Sequence, residues 1–130
     1  MTGRVTANRS QTSFDLIDMD AWLDADHPAR MVVAFVGRLD LRPFYAGIEA
    51  REGGVGRPTL DPAVLLALWL YPTIDGVGSA RAVERLTETE LAYRWLRGGM
   101  PLNHHTLSDF RAGFGAEFDR LLSETASWRT

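Results

Sequence analysis

The stretch Asp61-Pro62-Ala63-Val64-Leu65-Leu66-Ala67-Leu68-Trp69-Leu70-Tyr71-Pro72 decides the fold. An aspartate followed by a proline is a helix start: the carboxylate accepts from the first free backbone N–H groups, and proline in the first turn gives up a donor that had no partner there. Everything from Ala63 to Tyr71 is apolar, so the helix has no polar face and must be buried on several sides, at the centre of a core. The run falls far short of the roughly 20 residues that cross a bilayer, which predicts a core helix and no membrane partner. Pro72 lacks a donor and predicts a kink or an end at that point, with Gly76 and Gly78 loosening the turn beyond it.

Upstream, Asp26 before His27 and Pro28 repeats the cap-and-proline start. Val32, Phe35, Val36 and Leu39 follow at i, i+3, i+4 and i+7, which predicts a helix from about His27 to Leu39. Leu41 to Ile48, opening near Asp40 and Pro43, predicts one or two further turns, and Gly53, Gly54 and Gly56 a flexible connection. Downstream, Ser79 is an N-cap for a helix to about Thr87 with Val83 and Leu86 inward. Leu91, Ala92, Trp95 and Leu96 form the next stripe, which Gly98 and Gly99 end. Thr106 and Asp109 stand in capping-box spacing. Phe110, Phe114, Phe118, Leu121 and Leu122 carry an apolar face past Gly113 and Gly115, as one bent helix or two short ones. No segment alternates with period 2, so the chain predicts an all-α compact bundle of about five to seven short helices, including a helix-turn-helix-like pair.

Met1 to Ser13 carries no hydrophobic period and no apolar run behind Arg4 and Arg9, which reads as a disordered arm rather than a secretion signal. Phe14 to Asp24 is acidic, with Phe14, Ile17, Met19, Trp22 and Leu23 scattered through it in a way that allows irregular packing on the domain; residues 1–25 are expected to form a flexible acidic arm and residues 26–125 the helical domain. The chain has no cysteine, which removes disulfides, thiolate metal sites and cysteine nucleophiles. A cytoplasmic protein is the simplest expectation.

The formal net charge of −3 opposes the phosphate neutralisation on which nucleic-acid binding depends. Asp15, Asp18, Asp20, Asp24 and Asp26 all fall in the leader, however, and beyond it arginines and acids nearly balance. All 14 basic residues other than histidine are arginines, which coding bias in a GC-rich genome explains, although the guanidinium fork also suits phosphate and guanine.

Arg81 and Arg85, four apart, share one helix face, and Arg94 and Arg97, three apart, share a face of the next helix. Two consecutive short helices carrying such faces can set guanidinium groups against phosphates or in a major groove. The competing reading is a solvated mixed-charge face, with Arg81 paired to Glu84 and Arg85 to Glu88. Arg57 beside Pro58 is a loop arginine or a phosphate contact, and Arg111, after Phe110, a DNA contact or an internal cap or pair. His104 and His105, with Asp109 one turn on, do not converge as a zinc site requires, so no metal is expected. Ser79 has no activating base, and Trp69, Tyr93 and Trp95 read as core.

The chain from about Asp26 to Leu122 resembles the N-terminal domain of bacterial insertion-sequence transposases of the InsH type, which precedes an acidic-triad (DDE) nuclease domain. The likeness rests on His27-Pro28, Leu39-Asp40-Leu41 with Phe44 and Tyr45, Gly56-Arg57-Pro58 with Pro62, and Leu65, Leu66, Leu68 and Tyr71. It continues through Gly78-Ser79-Ala80-Arg81 with Glu84-Arg85, Tyr93-Arg94-Trp95-Leu96, Pro101, His104 to Leu107 and Phe110-Arg111. Pro72 departs from the pattern and predicts a shorter third helix. The resemblance implies a DNA-binding and assembly module that recognises terminal inverted repeats, with DNA and a second copy or a full-length transposase as partners. It also implies that the catalytic carboxylates, with their Mg²⁺, belong to a domain absent from this chain. No acidic residue here is assigned to the triad, so neither an enzyme nor a cofactor site is expected. The rival expectation is a truncated protein-interaction remnant that joins or inhibits full-length transposase without binding DNA itself.

Overall fold

The computed structural model describes residues 19–46 and 61–125. Among them every regular element is helical: α1 (Met19–Trp22), α2 (Pro28–Gly37), α3 (42–46), α4 (Pro62–Asp75), α5 (Ala80–Thr89), α6 (Leu91–Arg97), α7 (His104–Gly113) and α8 (Gly115–Thr125). The all-α expectation holds. The glycine-rich connection, with Arg57, and the arm before residue 19 lie outside the described residues.

Helix α4 is the axis of the body. The Asp61 carboxylate accepts from the Ala63 N–H at 2.9 Å, Pro62 occupies the first turn, and Val64 through Pro72 are all buried. Helices α2, α6, α7 and α8 pack around it. The Trp69 indole N–H donates to the Leu107 carbonyl at 2.9 Å, fixing α7 on the core. Phe110 of α7, Phe114 between the last two helices and Phe118 of α8 cluster with Phe44 of α3, Phe110 and Phe118 edge to face and the other pairs tilted. Rings at these separations add about 0.5–1.5 kcal/mol per pair beyond their buried area.

Of the kink or end expected at Pro72, the end does not occur: α4 runs a further turn to Asp75. The missing proline N–H removes a single ladder bond, and the helix end beyond it is closed another way. Gly76 adopts a left-handed conformation (φ 87°), the Val77 N–H donates back to the Pro72 carbonyl at 2.7 Å, and the Gly76 N–H donates to Thr73 at 3.3 Å. That pair of bonds is the Schellman closure, which satisfies the last carbonyls.

Two caps also differ from expectation. Helix α2 is capped by His27, whose Nδ1 accepts from the Ala29 N–H at 3.0 Å, not by Asp26. Helix α7 opens earlier than the Thr106–Asp109 spacing suggests, because Asn103 Oδ1 accepts from the Thr106 N–H at 3.0 Å. Ser79 caps α5 as expected, accepting from Ala82 at 3.2 Å. The last apolar face resolves into two helices, broken at Phe114 between Gly113 and Gly115.

The leader does not remain free up to residue 25. Met19 and Leu23 are buried, and α1 is held from behind by Arg30 of α2. Arg30 donates to the Asp20 carboxylate at 3.1 Å and to the backbone carbonyls of Asp20, Leu23 (2.8 Å) and Asp24 (2.9 Å). Its guanidinium also lies 4.9 Å from the centre of the Trp95 ring, while the Trp95 indole N–H donates to Asp20 at 3.0 Å. One arginine thus joins α1, α2 and α6. Among the described residues no single helix is long and apolar enough to cross a membrane.

Candidate nucleic-acid interface

Helix α5 follows α4 after only four residues, Gly76 to Ser79, and its axis turns by 96° from that of α4. A near-right angle across a short glycine-containing turn is the angle and turn length of a helix-turn-helix pair. The corner therefore lies between α4 and α5. Helices α5 and α6, whose arginines suggested the pairing, instead meet directly at Glu90, which closes one and opens the other.

The inward side of α5 carries Val83 and Thr87, both buried. Arg81 and Arg85 lie on its outward side and are exposed, and neither guanidinium forms an ion pair with a described residue. The pairing of Arg81 with Glu84 fails because Glu84 faces the other way. Its Oε1 accepts from the His104 Nδ1 at 2.7 Å and from the His104 backbone N–H at 3.0 Å. The His104 hydrogen bond, with the added charge of Arg97 nearby, holds the Glu84 carboxyl below its ordinary value. This contact clasps α5 to the start of α7, an end at which backbone N–H groups favour a negative charge. His104 is therefore a structural contact in this fold. Among the described residues no group of three or more histidines and carboxylates could hold a metal ion.

The second expected arginine pair divides. The Arg97 Nε donates to the Met100 carbonyl at 2.7 Å, Nη1 to the Thr87 hydroxyl at 3.3 Å and Nη2 to the Leu102 carbonyl at 3.5 Å. Its fork ties α5 to the α6–α7 connection, where Gly98 adopts a left-handed conformation (φ 60°). Arg94 is half-buried on α6. Arg111 is half-buried too, with its guanidinium 5.3 Å from the ring centres of Trp69 and Phe118. The structure thus sets Arg81 and Arg85 together on one open face, draws Arg97 and Arg111 into packing, and leaves Arg57 undescribed.

Sequence reasoning passed over Arg30. Its partners stand 6 to 10 residues upstream, on the short α1 and the turn after it, and on α6, so no single helix's spacing connects them. The available signal was the acidic leader facing a helix that holds a lone arginine.

Residues 17–113 match the model of a family described as Transposase domain (DUF772), a span that takes in α1 through α7. No curated protein and no solved structure matches the chain.

Proposed function

Since the chain belongs to the DUF772 transposase-domain family, we propose that it is the DNA-binding and assembly module of a transposase, with the outward face of α5 set against the terminal inverted repeat of its element. The observation that carries this reading is the pair of exposed arginines, Arg81 and Arg85, one turn apart on the second helix of a right-angled corner. Arg81 stands in the first turn of α5. In helix-turn-helix proteins the N-terminal part of the second helix reaches base edges, while flanking arginines meet phosphates. Helix α4 is buried on every side and cannot itself cross a DNA backbone. The contact surface is then the outward face of α5, with Arg94 on the adjoining α6.

The second reading, a protein-interaction module without DNA affinity, is favoured by the net charge of −3 and by the internal engagement of Arg97 and Arg111. Fluorescence anisotropy with the terminal-repeat duplex and a scrambled duplex, across a salt series, separates the two. Binding that weakens as salt rises, tighter for the repeat, supports the module. Flat anisotropy at the lowest salt supports the alternative.

A further inference from the structure

Apart from the arginine face, the described residues enclose a cleft of about 430 Å³ bounded by α1, the turn into α2, the end of α4 and the start of α6. Among the rings that line it Trp22 is exposed, His27 is half-buried, and Tyr71 and Tyr93 are buried. Tyr71 and Tyr93 meet edge to face with ring centres 5.2 Å apart, and Trp22, 66% exposed, stands at the cleft beside them. A large aromatic side chain left in water at a concave site marks a surface that another molecule can cover.

Apart from His27, whose Nδ1 caps α2, the ionisable groups of the lining are carboxylates and the tyrosine hydroxyls. Asp24, Asp75 and Glu90 border the cleft, and all three residues are exposed. None of these carboxylates forms a salt bridge with a described residue. Arg30 reaches Asp24 only at its backbone carbonyl, and Asp75 accepts a neutral hydrogen bond of 2.9 Å from the Tyr93 hydroxyl. Such a lining repels phosphate, so this is not a second DNA surface. The carboxylates are also too dispersed to hold a metal ion. What suits one exposed indole rimmed by separated carboxylates is a flat organic cation, which can lie on the ring and donate outward to the acids at the same time.

We infer that this cleft docks an arginine side chain presented by a basic segment of a partner protein. The guanidinium lies against the exposed Trp22 ring and donates to Asp24, Asp75 or Glu90, while the arginine stem covers the apolar wall. The inference uses none of the residues assigned to DNA and stands whether or not α5 binds a duplex.

Two-dimensional NMR of the ¹⁵N-labelled chain, titrated with a short acetylated and amidated Gly-Arg-Gly peptide, tests it. The control is the same peptide with neutral citrulline in place of arginine. Saturable shifts at the Trp22 indole and at the Asp24 and Glu90 amides, absent with citrulline, are expected. Trp22→Ala should weaken the arginine peptide about fivefold. Glu90→Gln should weaken it too, so the test survives if either variant folds poorly. Equal shifts with citrulline, or no shifts at millimolar peptide, overturn the proposal. The same shifts produced merely by raising the protein concentration also overturn it, since a second copy of the chain would then be the occupant.

Discussion

Arginine is used in two opposite ways on two sides of α5. On the outward side Arg81 and Arg85 extend from the helix without a described ion-pair partner, whereas behind it Arg97 spends its fork on Met100, Thr87 and Leu102. Arg30 and Arg111 belong with Arg97, the first bonding the leader and the second lying over Trp69 and Phe118. The difference is one of surroundings. An arginine near bare carbonyls at helix ends, or over buried rings, becomes structure, while one on the outward face of a helix stays available to a polyanion.

That division can be broken most forcefully at Arg30. Arg30→Met, which keeps the stem and removes every donor, should cost about 2–3 kcal/mol in urea unfolding and release α1, seen as lost amide protection at residues 22–24. An unchanged midpoint would mean that the leader is not held as described. Arg97→Met should cost less, about 1–2 kcal/mol, because it makes fewer bonds than Arg30 and two of its three are long, at 3.3 and 3.5 Å.

Acid sharpens the same contrast. The Trp95 indole N–H, together with Arg30, holds the Asp20 carboxyl below its ordinary value, as His104 does for Glu84. A carboxylate whose folded value is lowered contributes stability that is complete above the ordinary carboxylate range and is lost as pH falls through the lowered value. Unfolding midpoints should therefore drop below about pH 4, and Asp20→Asn with Glu84→Gln should flatten that limb while lowering stability at neutral pH. Asp40, drawn down to about 2 by its hydrogen bonds with Arg42, belongs to an exposed local pair, and Asp40→Asn should barely change the curve. The smallest effects are expected on the outward face: Arg81→Ala and Arg85→Ala should each leave stability within about 0.5 kcal/mol of the parent.

The sequence was most readable where the determinants are local. The Asp61-Pro62 start, the buried α4, the Ser79 cap and the outward direction of Arg81 and Arg85 follow from spacing and side-chain chemistry within one or two turns. Pro72 misled because a proline costs one ladder bond, and nothing near it reveals that Gly76 and Val77 will restore the helix end. The docking of the leader depends on Trp95, far along the chain, and the fate of Arg97 on carbonyls exposed only once α6 has stopped at Gly98. The α4–α5 corner was hidden for a related reason, since periodicity gives the faces of helices but not the angle between them.

The account depends above all on the exposed α5 arginines meeting DNA. The most direct measurement is the salt dependence of terminal-repeat binding for the parent chain and for the double variant Arg81→Ala/Arg85→Ala, with circular dichroism confirming equal helix content. The account predicts weaker binding by the variant on every sequence and a log K against log salt slope shallower by about 2, one for each lost phosphate contact. An unaltered slope and affinity in a fully folded double variant would contradict it.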